Sequence, residues 1–190
     1  MIANPERNYM NPAEYLHWEE QQPLKHEYMN GEAVAMTGRT IAHNEIAVNL
    51  TTALKNHLRG KGCKVLMADS KLGVNESGPF YYPDVMVTCN EQDKLAKNVI
   101  NFPCLIAEVL SPGTEGFDRG QKFQNYRRIS SLREYLLVSS DQKIVECFRL
   151  NEKGLWELST YREGDEIELA SVEFRVPLDL IYEELVFSEN

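Results

Sequence analysis

Two short apolar runs in the middle of the chain each carry a single acid, and nothing else in the sequence constrains the fold as tightly. The first is Tyr82-Pro83-Asp84-Val85-Met86-Val87 and the second Cys104-Leu105-Ile106-Ala107-Glu108-Val109-Leu110. Runs this apolar read as strands covered on both faces. An ionised carboxylate in such a strand needs a cation, a metal or several hydrogen-bond donors to offset its desolvation. If Asp84 and Glu108 lie side by side on adjacent strands, two like charges about 4 Å apart repel by roughly 4 kcal/mol at the effective dielectric of a protein. Either one acid takes up a proton or a divalent cation sits between them, and hard oxygen ligands suit Mg²⁺ or Mn²⁺.

The rest of the chain supplies a frame for these strands. Ser111-Pro112-Gly113 ends the second run, and a helical pattern over residues 118–129 follows, holding Asp118, Lys122 and Tyr126. Asn11-Pro12 opens a short helix over residues 13–21, with Asn11 as its cap. Residues 25–29 and 32–36 flank Asn30-Gly31, the preferred two-residue turn, and predict a hairpin. Residues 40–59 carry the strongest helical pattern, with Ile46, Ala47, Leu50, Leu54 and Leu58 on one stripe before Gly60. Further strands are predicted over 64–68, 70–74, 134–139, 144–150, 155–161 and 173–176. A polar loop with a helical turn near 93–97 joins the two acid-bearing runs, and a last helical turn lies near 178–182. Two main helices among many strands predict an α/β or α+β sandwich around one mixed sheet. The mixed β-sheet is flanked by those helices, with an N-terminal hairpin and a β-rich C-terminal part. Residues 1–190 read as one domain whose residues 1–11 form a flexible N-terminus.

Composition narrows the setting. A chain of 190 residues buries roughly 70% of its unfolded surface without a disulfide or structural metal. No 18-residue apolar run suggests a membrane span, and Met1 to Arg7 lacks the apolar core of a signal peptide. Cys63, Cys89, Cys104 and Cys147 are spaced 26, 15 and 43 apart with no Cys-x-x-Cys pair. They read as buried free thiols in a reducing cytoplasm. The net charge of −9 does not exclude a nucleic-acid ligand. Residues 1–150 hold 18 acids and 17 bases, whereas residues 151–190 hold 11 acids and 3 bases, so the acidity belongs to the C-terminal segment.

Pro83-Asp84, followed about two dozen residues later by Glu108-Val109-Leu110, resembles the Pro-Asp…(Asp/Glu)-x-Lys signature of restriction-endonuclease-like nucleases. A longer ordered set is similar to the Uma family of restriction-endonuclease-like proteins. It comprises His26-Glu27-Tyr28-Met29-Asn30-Gly31-Glu32, Ala42-His43-Asn44, Tyr82-Pro83-Asp84-Val85 and Glu108-Val109-Leu110-Ser111-Pro112-Gly113-Thr114. Asp118-x-x-x-Lys122-x-x-x-Tyr126 and Leu132-Arg133-Glu134-Tyr135-Leu136-Leu137-Val138 complete it. The resemblance spans roughly residues 15–185 and implies a restriction-endonuclease-like core that hydrolyses DNA phosphodiesters with Mg²⁺ or Mn²⁺. Asp84 and Glu108 would be the metal ligands, with the Val109 backbone carbonyl as a third, and Glu27 would lie near the metal. The signature's lysine is missing, since Leu110 takes its place, and Lys122 on the following helix is the natural substitute. Its ammonium could orient water or neutralise charge on the phosphoryl oxygens.

Each candidate also has a plainer reading. Pro83-Asp84 is a common turn dipeptide. Glu108 could pair with a buried lysine or arginine. Lys122 could form only an i,i+4 pair with Asp118, and Asp118 could be an N-cap. His43 falls on the apolar stripe of its helix, where a histidine is usually a satisfied core residue. His17, His26 and His57 lack metal-ligand spacing, which argues against zinc. Arg119 and Lys122 adjoin the candidate site and would serve as phosphate contacts. Three functions follow: a DNA endonuclease, a catalytically silent nuclease-fold module for DNA binding or protein assembly, and a metal-dependent hydrolase of another substrate. A homodimer is expected to bring two sites to a duplex, with Phe148, Leu150, Trp156 and Leu158 as apolar surface.

Overall fold

The computed structural model describes residues 9–36 and 38–187, and within them the two acid-bearing runs are neighbours in one sheet. The strands in chain order are β1 (His26–Met29), β2 (Glu32–Ala35), β3 (Lys64–Met67), β4 (Lys71–Gly73), β5 (Phe80–Tyr81), β6 (Val85–Thr88) and β7 (Val99–Ile100). They continue with β8 (Leu105–Leu110), β9 (Glu134–Ser139), β10 (Ile144–Leu150), β11 (Trp156–Arg162), β12 (Glu166–Leu169) and β13 (Phe174–Pro177). Six of them form a sheet in the order β11-β10-β9-β8-β6-β3. β8 runs parallel to β9 and antiparallel to β6, so this sheet is mixed. A second sheet has the order β2-β1-β5-β4-β7, and β12 pairs with β13 alone.

Every residue of β6, β8 and β9 is buried, because both faces of the large sheet are covered. Leu105, Ala107 and Val109 point to one face of β8 and Ile106, Glu108 and Leu110 to the other, as the two-residue period of a strand requires. The first face packs on α2 (Ile41–His57) through Ile46, Ala47, Leu50 and Leu54. Thr40 caps α2, its hydroxyl accepting the His43 N–H at 3.2 Å. β12, β13 and α5 (Leu178–Ile181) close the same core with Ile167, Val176, Leu178 and Ile181. Truncating a fully buried leucine such as Leu50 to alanine costs about 2–5 kcal/mol. The second face meets the smaller sheet and the helix after β8, through Leu72, Tyr81, Tyr126 and Tyr135.

The predicted hairpin forms, with Asn30 at φ 50° and Gly31 at φ 88°, the positive values that a type I′ turn demands. α1 (Pro12–Glu19) starts in a full capping box, in which Asn11 accepts from Glu14 N–H and the Glu14 side chain accepts from Asn11 N–H. The flexible start expected over residues 1–11 lies mostly outside the described residues. Residues 9–11 are tied down, since Met10 N–H donates to the Gly31 carbonyl at 2.9 Å.

Other expectations need correction. The helix expected over 118–129 begins earlier and ends at Tyr126. It runs as an α-turn (Glu115–Phe117), a π-turn (Asp118–Lys122) and an α-turn (Phe123–Tyr126), together α4. Gly116 and Gly120 weaken the regular helix here. The turn expected near 93–97 is α3 (Glu91–Leu95), capped by Asn90. The acidic tail also contains a strand that its charge conceals, β12, where exposed Glu166 precedes buried Ile167 and half-buried Glu168 precedes buried Leu169.

Cys63 and Cys89 are not free thiols. The β3–β6 register pairs Lys64 with Thr88, which brings these two flanking cysteines opposite each other, Cα–Cα 4.1 Å, in a disulfide. Spacing along the chain cannot reveal a cross-strand pair. Cys104 and Cys147 are free, and burial pushes their thiols up, to about 11 and about 12. No helix among the described residues is long and apolar enough to cross a membrane. Of the apolar surface expected for a homodimer, Leu158 is exposed on the edge strand β11. Phe148 and Trp156 instead turn onto Phe123 of α4, with ring centroids 4.4 and 5.4 Å away.

Candidate active site

The second face of β8 carries Glu108 into an otherwise apolar layer, and α4 answers it with an ammonium. Lys122 Nζ lies 3.1 Å from Glu108 Oε1, 3.0 Å from Glu27 Oε1 and 3.2 Å from Asp118 Oδ1. Glu27 reaches the cluster from β1 and Asp118 from one turn earlier in α4, so both sheets and the helix converge on one cation. Tyr126 adds a hydroxyl that donates to Glu108 Oε1 at 2.8 Å. The π-turn holds Asp118 and Lys122 on one face, and the Tyr135 hydroxyl donates to the Asp118 carbonyl at 3.0 Å. Such turns often mark functional sites. Asp118 Oδ1 is buried and, although ion-paired with Lys122, accepts no hydrogen bond.

Asp84 sits just ahead of β6 and is 1% exposed. Its own N–H donates to Glu108 Oε2 at 3.3 Å, and its Oδ2 accepts the Val109 N–H at 2.8 Å. The two carboxylates are thus cross-linked through each other's strand. Asp84 also takes two side chains from the start of α2. Arg39 Nη1 lies 2.7 Å from Oδ1 and 2.8 Å from Oδ2, and His43 Nε2 lies 3.1 Å from Oδ2.

These environments drive the two acids in opposite directions, a pattern associated with functional sites. Burial pushes the Glu108 carboxyl up to about 8 against the pull of Lys122, with Asp84, Asp118 and Glu27 adding to the rise. Burial alone would raise Asp84 too. The His43 contact, the Arg39 charge and the Val109 N–H outweigh it and hold that carboxyl below its usual range. Burial would lower Lys122, but Glu108, Glu27 and Asp118 raise it well above an ordinary lysine. Burial and the Glu108 charge keep the Tyr126 hydroxyl protonated. Four carboxylates, Glu27, Asp84, Glu108 and Asp118, therefore share two permanent cations, Arg39 and Lys122. With every acid ionised, these carboxylates carry two more negative charges than Arg39 and Lys122 compensate. Among the described residues, no three of His, Cys, Asp or Glu are grouped so as to hold a metal ion by themselves.

The structure brings together Asp84, Glu108, Val109, Lys122, Glu27, His43, Asp118 and Tyr126. Asp118 is not the N-cap that sequence suggested. It lies inside α4, 2% exposed, because the helix starts three residues earlier. His43 is both the core residue and the site residue, buried on the α2 stripe while touching Asp84. Leu110 fills its strand position inside the apolar cluster that also holds Tyr126 and Leu137. The phosphate contacts expected of Arg119 and Lys122 are already engaged, since Arg119 pairs with Glu115 at 2.7 Å and also with Glu146. Arg39 escaped the sequence reading, although a signal existed. An arginine directly before a helix N-cap opposes the macrodipole, and the first turn of α2 has no acid to answer it.

Comparison with known proteins agrees with this architecture. Over 178 residues the chain is 40% identical to the uncharacterized protein slr1290 of Synechocystis sp., covering 94% of each. It is 36% identical to sll1609 of the same organism over 165 residues, covering 85% of this chain and 93% of the relative. Its fold matches a crystal structure described as a "putative nuclease belonging to DUF820" from Anabaena variabilis, with TM-score 0.74, 12% identity, and 91% and 97% of the two chains covered. The family model for Uma2, described as "Putative restriction endonuclease", matches residues 12–179, and the chain belongs to that family.

Proposed function

We propose that this protein is a divalent-cation-dependent endonuclease that hydrolyses DNA phosphodiester bonds. The observation that carries the proposal is a buried cluster of four carboxylates that Arg39 and Lys122 leave two positive charges short of neutral once all its acids are ionised. Asp84 and Glu108, with the Val109 carbonyl, would hold Mg²⁺ or Mn²⁺. Mg²⁺ is commonly bound by one or two carboxylates and keeps several of its waters, which suits a site offering two. When bound, such a cation supplies Lewis-acid polarisation of a phosphoryl oxygen and eases the ionisation of water.

The chain's own residues do the remaining work. The Val109 N–H orients the Asp84 carboxylate, and the Tyr126 hydroxyl orients Glu108. Glu27 and Asp118 hold Lys122 in register beside Glu108. There its charge stabilises negative charge developing on the cleaved phosphate, in a setting where water cannot screen it. Leu110 leaves no strand lysine for this role, so the ammonium comes from α4.

Plasmid cleavage in Mn²⁺ tests the reading. Asp84→Ala and Glu108→Ala are expected to abolish cleavage. Lys122→Ala is expected to slow it by about 10²–10³ with Mn²⁺ still bound. Activity surviving in Asp84→Ala ends the proposal. One observation favours a second reading, a silent module for binding DNA or protein: Arg39 and Lys122 already neutralise Asp84 and Glu108 within the chain. Calorimetry with Mn²⁺ separates the two, since the module gives no heat with wild type or with Glu108→Ala.

A further inference from the structure

Both oxygens of Asp84 touch the same Arg39 nitrogen. Its two oxygens take the Val109 N–H at 2.8 Å, the His43 imidazole at 3.1 Å and Arg39 at 2.7 and 2.8 Å. Three of these contacts crowd Oδ2 and Oδ1 meets only Arg39 Nη1, so a cation approaching Asp84 through either oxygen meets the guanidinium. The Val109 N–H is fixed between strands. His43 is 3% exposed on the inner stripe of α2 and is held there by its packing. A guanidinium stays charged at any working pH, so Arg39 and a divalent cation cannot share the same oxygens without strong repulsion.

Arg39 is also the partner best able to leave. Its residue precedes the Thr40 cap, outside any helix or strand. Its side chain is 26% exposed, against 4% for Lys122, which three acids hold on a helix. We infer that Arg39 is the site's resident counter-ion. It neutralises Asp84 in the resting protein, and a divalent cation displaces it outward to the mouth of the site. Lys122 stays with Glu27, Glu108 and Asp118 throughout. Arg39 is thereby a positioning residue that sets cation affinity and holds the empty site in shape, since Asp84 would otherwise face only the His43 ring and one amide. The inference rests on the cation-dependent reading above.

Calorimetry with Mn²⁺ alone on wild type, Arg39→Gln and Glu108→Gln tests it, with circular dichroism confirming the fold. Arg39→Gln is expected to bind Mn²⁺ at least about tenfold more tightly, or about 1.4 kcal/mol, and Glu108→Gln to bind weakly or not at all. A second readout needs no variant. Phenylglyoxal labelling of wild type, located by peptide mass mapping, should find Arg39 protected without Mn²⁺ and labelled freely with it. Equal or weaker binding by Arg39→Gln, while wild type binds and Glu108→Gln does not, overturns the inference and spares the nuclease reading. Unchanged labelling of Arg39 across a saturating Mn²⁺ titration also overturns it. Absence of Mn²⁺ binding in both wild type and Arg39→Gln overturns both.

Discussion

Replacing Lys122 with methionine keeps most of the side chain's volume and removes its charge, leaving Glu27, Glu108 and Asp118 around an apolar tip. At separations of 3.0–3.2 Å, each pair attracts by about 5 kcal/mol at an effective dielectric of 20. Most of that sum offsets the desolvation of the buried ions. The net loss on removing one partner of such a group is about 3–5 kcal/mol. The loss must also depend on pH in a defined direction. The folded Glu108 carboxyl titrates near 8, above its unfolded value, so the folded state binds more protons across the window between them. Its contribution is therefore fully present at the acid end of that window and is lost as pH rises through about 8. Without the ammonium the acids retain protons to still higher pH, and the fall steepens. Lys122, raised well above its ordinary value, contributes below that value and loses its contribution only in strong alkali, so the ammonium itself stays charged across the whole range. Urea unfolding of wild type and Lys122→Met at about pH 5.5 and pH 8, in a chelator, is expected to show the larger loss at pH 8. A loss under about 1 kcal/mol at both values, the scale of a solvated ion pair, would refute the buried-cation account. So would a greater loss at the lower pH.

Two other expectations follow from single contacts. Tyr126→Phe removes the 2.8 Å hydroxyl donated to Glu108 and is expected to cost about 1–3 kcal/mol in a denaturant titration, with Mn²⁺-dependent cleavage reduced rather than lost. Reducing the Cys63–Cys89 bridge, which spans a sequence separation of 26, is expected to lower unfolding free energy by about 3.5 kcal/mol on loop-closure entropy. Cys63→Ser should show the same loss without reductant.

The parts of the fold with short-range causes were legible in the sequence. The Asn11 capping box, the Asn30-Gly31 turn and the stripe on α2 each follow from residues within a few positions of one another. The two acids were conspicuous because charge is costly in runs otherwise made of apolar residues. Long-range pairings were not legible. Cys63 meets Cys89 only because a β3–β6 register aligns them, and Arg39 reaches Asp84 only once α2 has packed on the sheet. The glycines at 116 and 120 hinted that α4 would be irregular, but not that a π-turn would bury Asp118 beside Lys122. Strand β12 was readable in principle, since Glu-Ile-Glu-Leu alternates cleanly, but the acidity of its surroundings masked it.

The π-turn in α4 makes residue count, more than residue type, the quantity under constraint between Asp118 and Tyr126. In a regular helix each residue advances the chain by roughly 100°. Losing one position between Lys122 and Tyr126, where the helix is regular, would swing Tyr126 away from Glu108 while leaving the amino-acid content almost unchanged. Among relatives of this protein, gaps in these nine positions should therefore mark the lineages that have abandoned the buried cluster, even where every individual acid and the lysine survive.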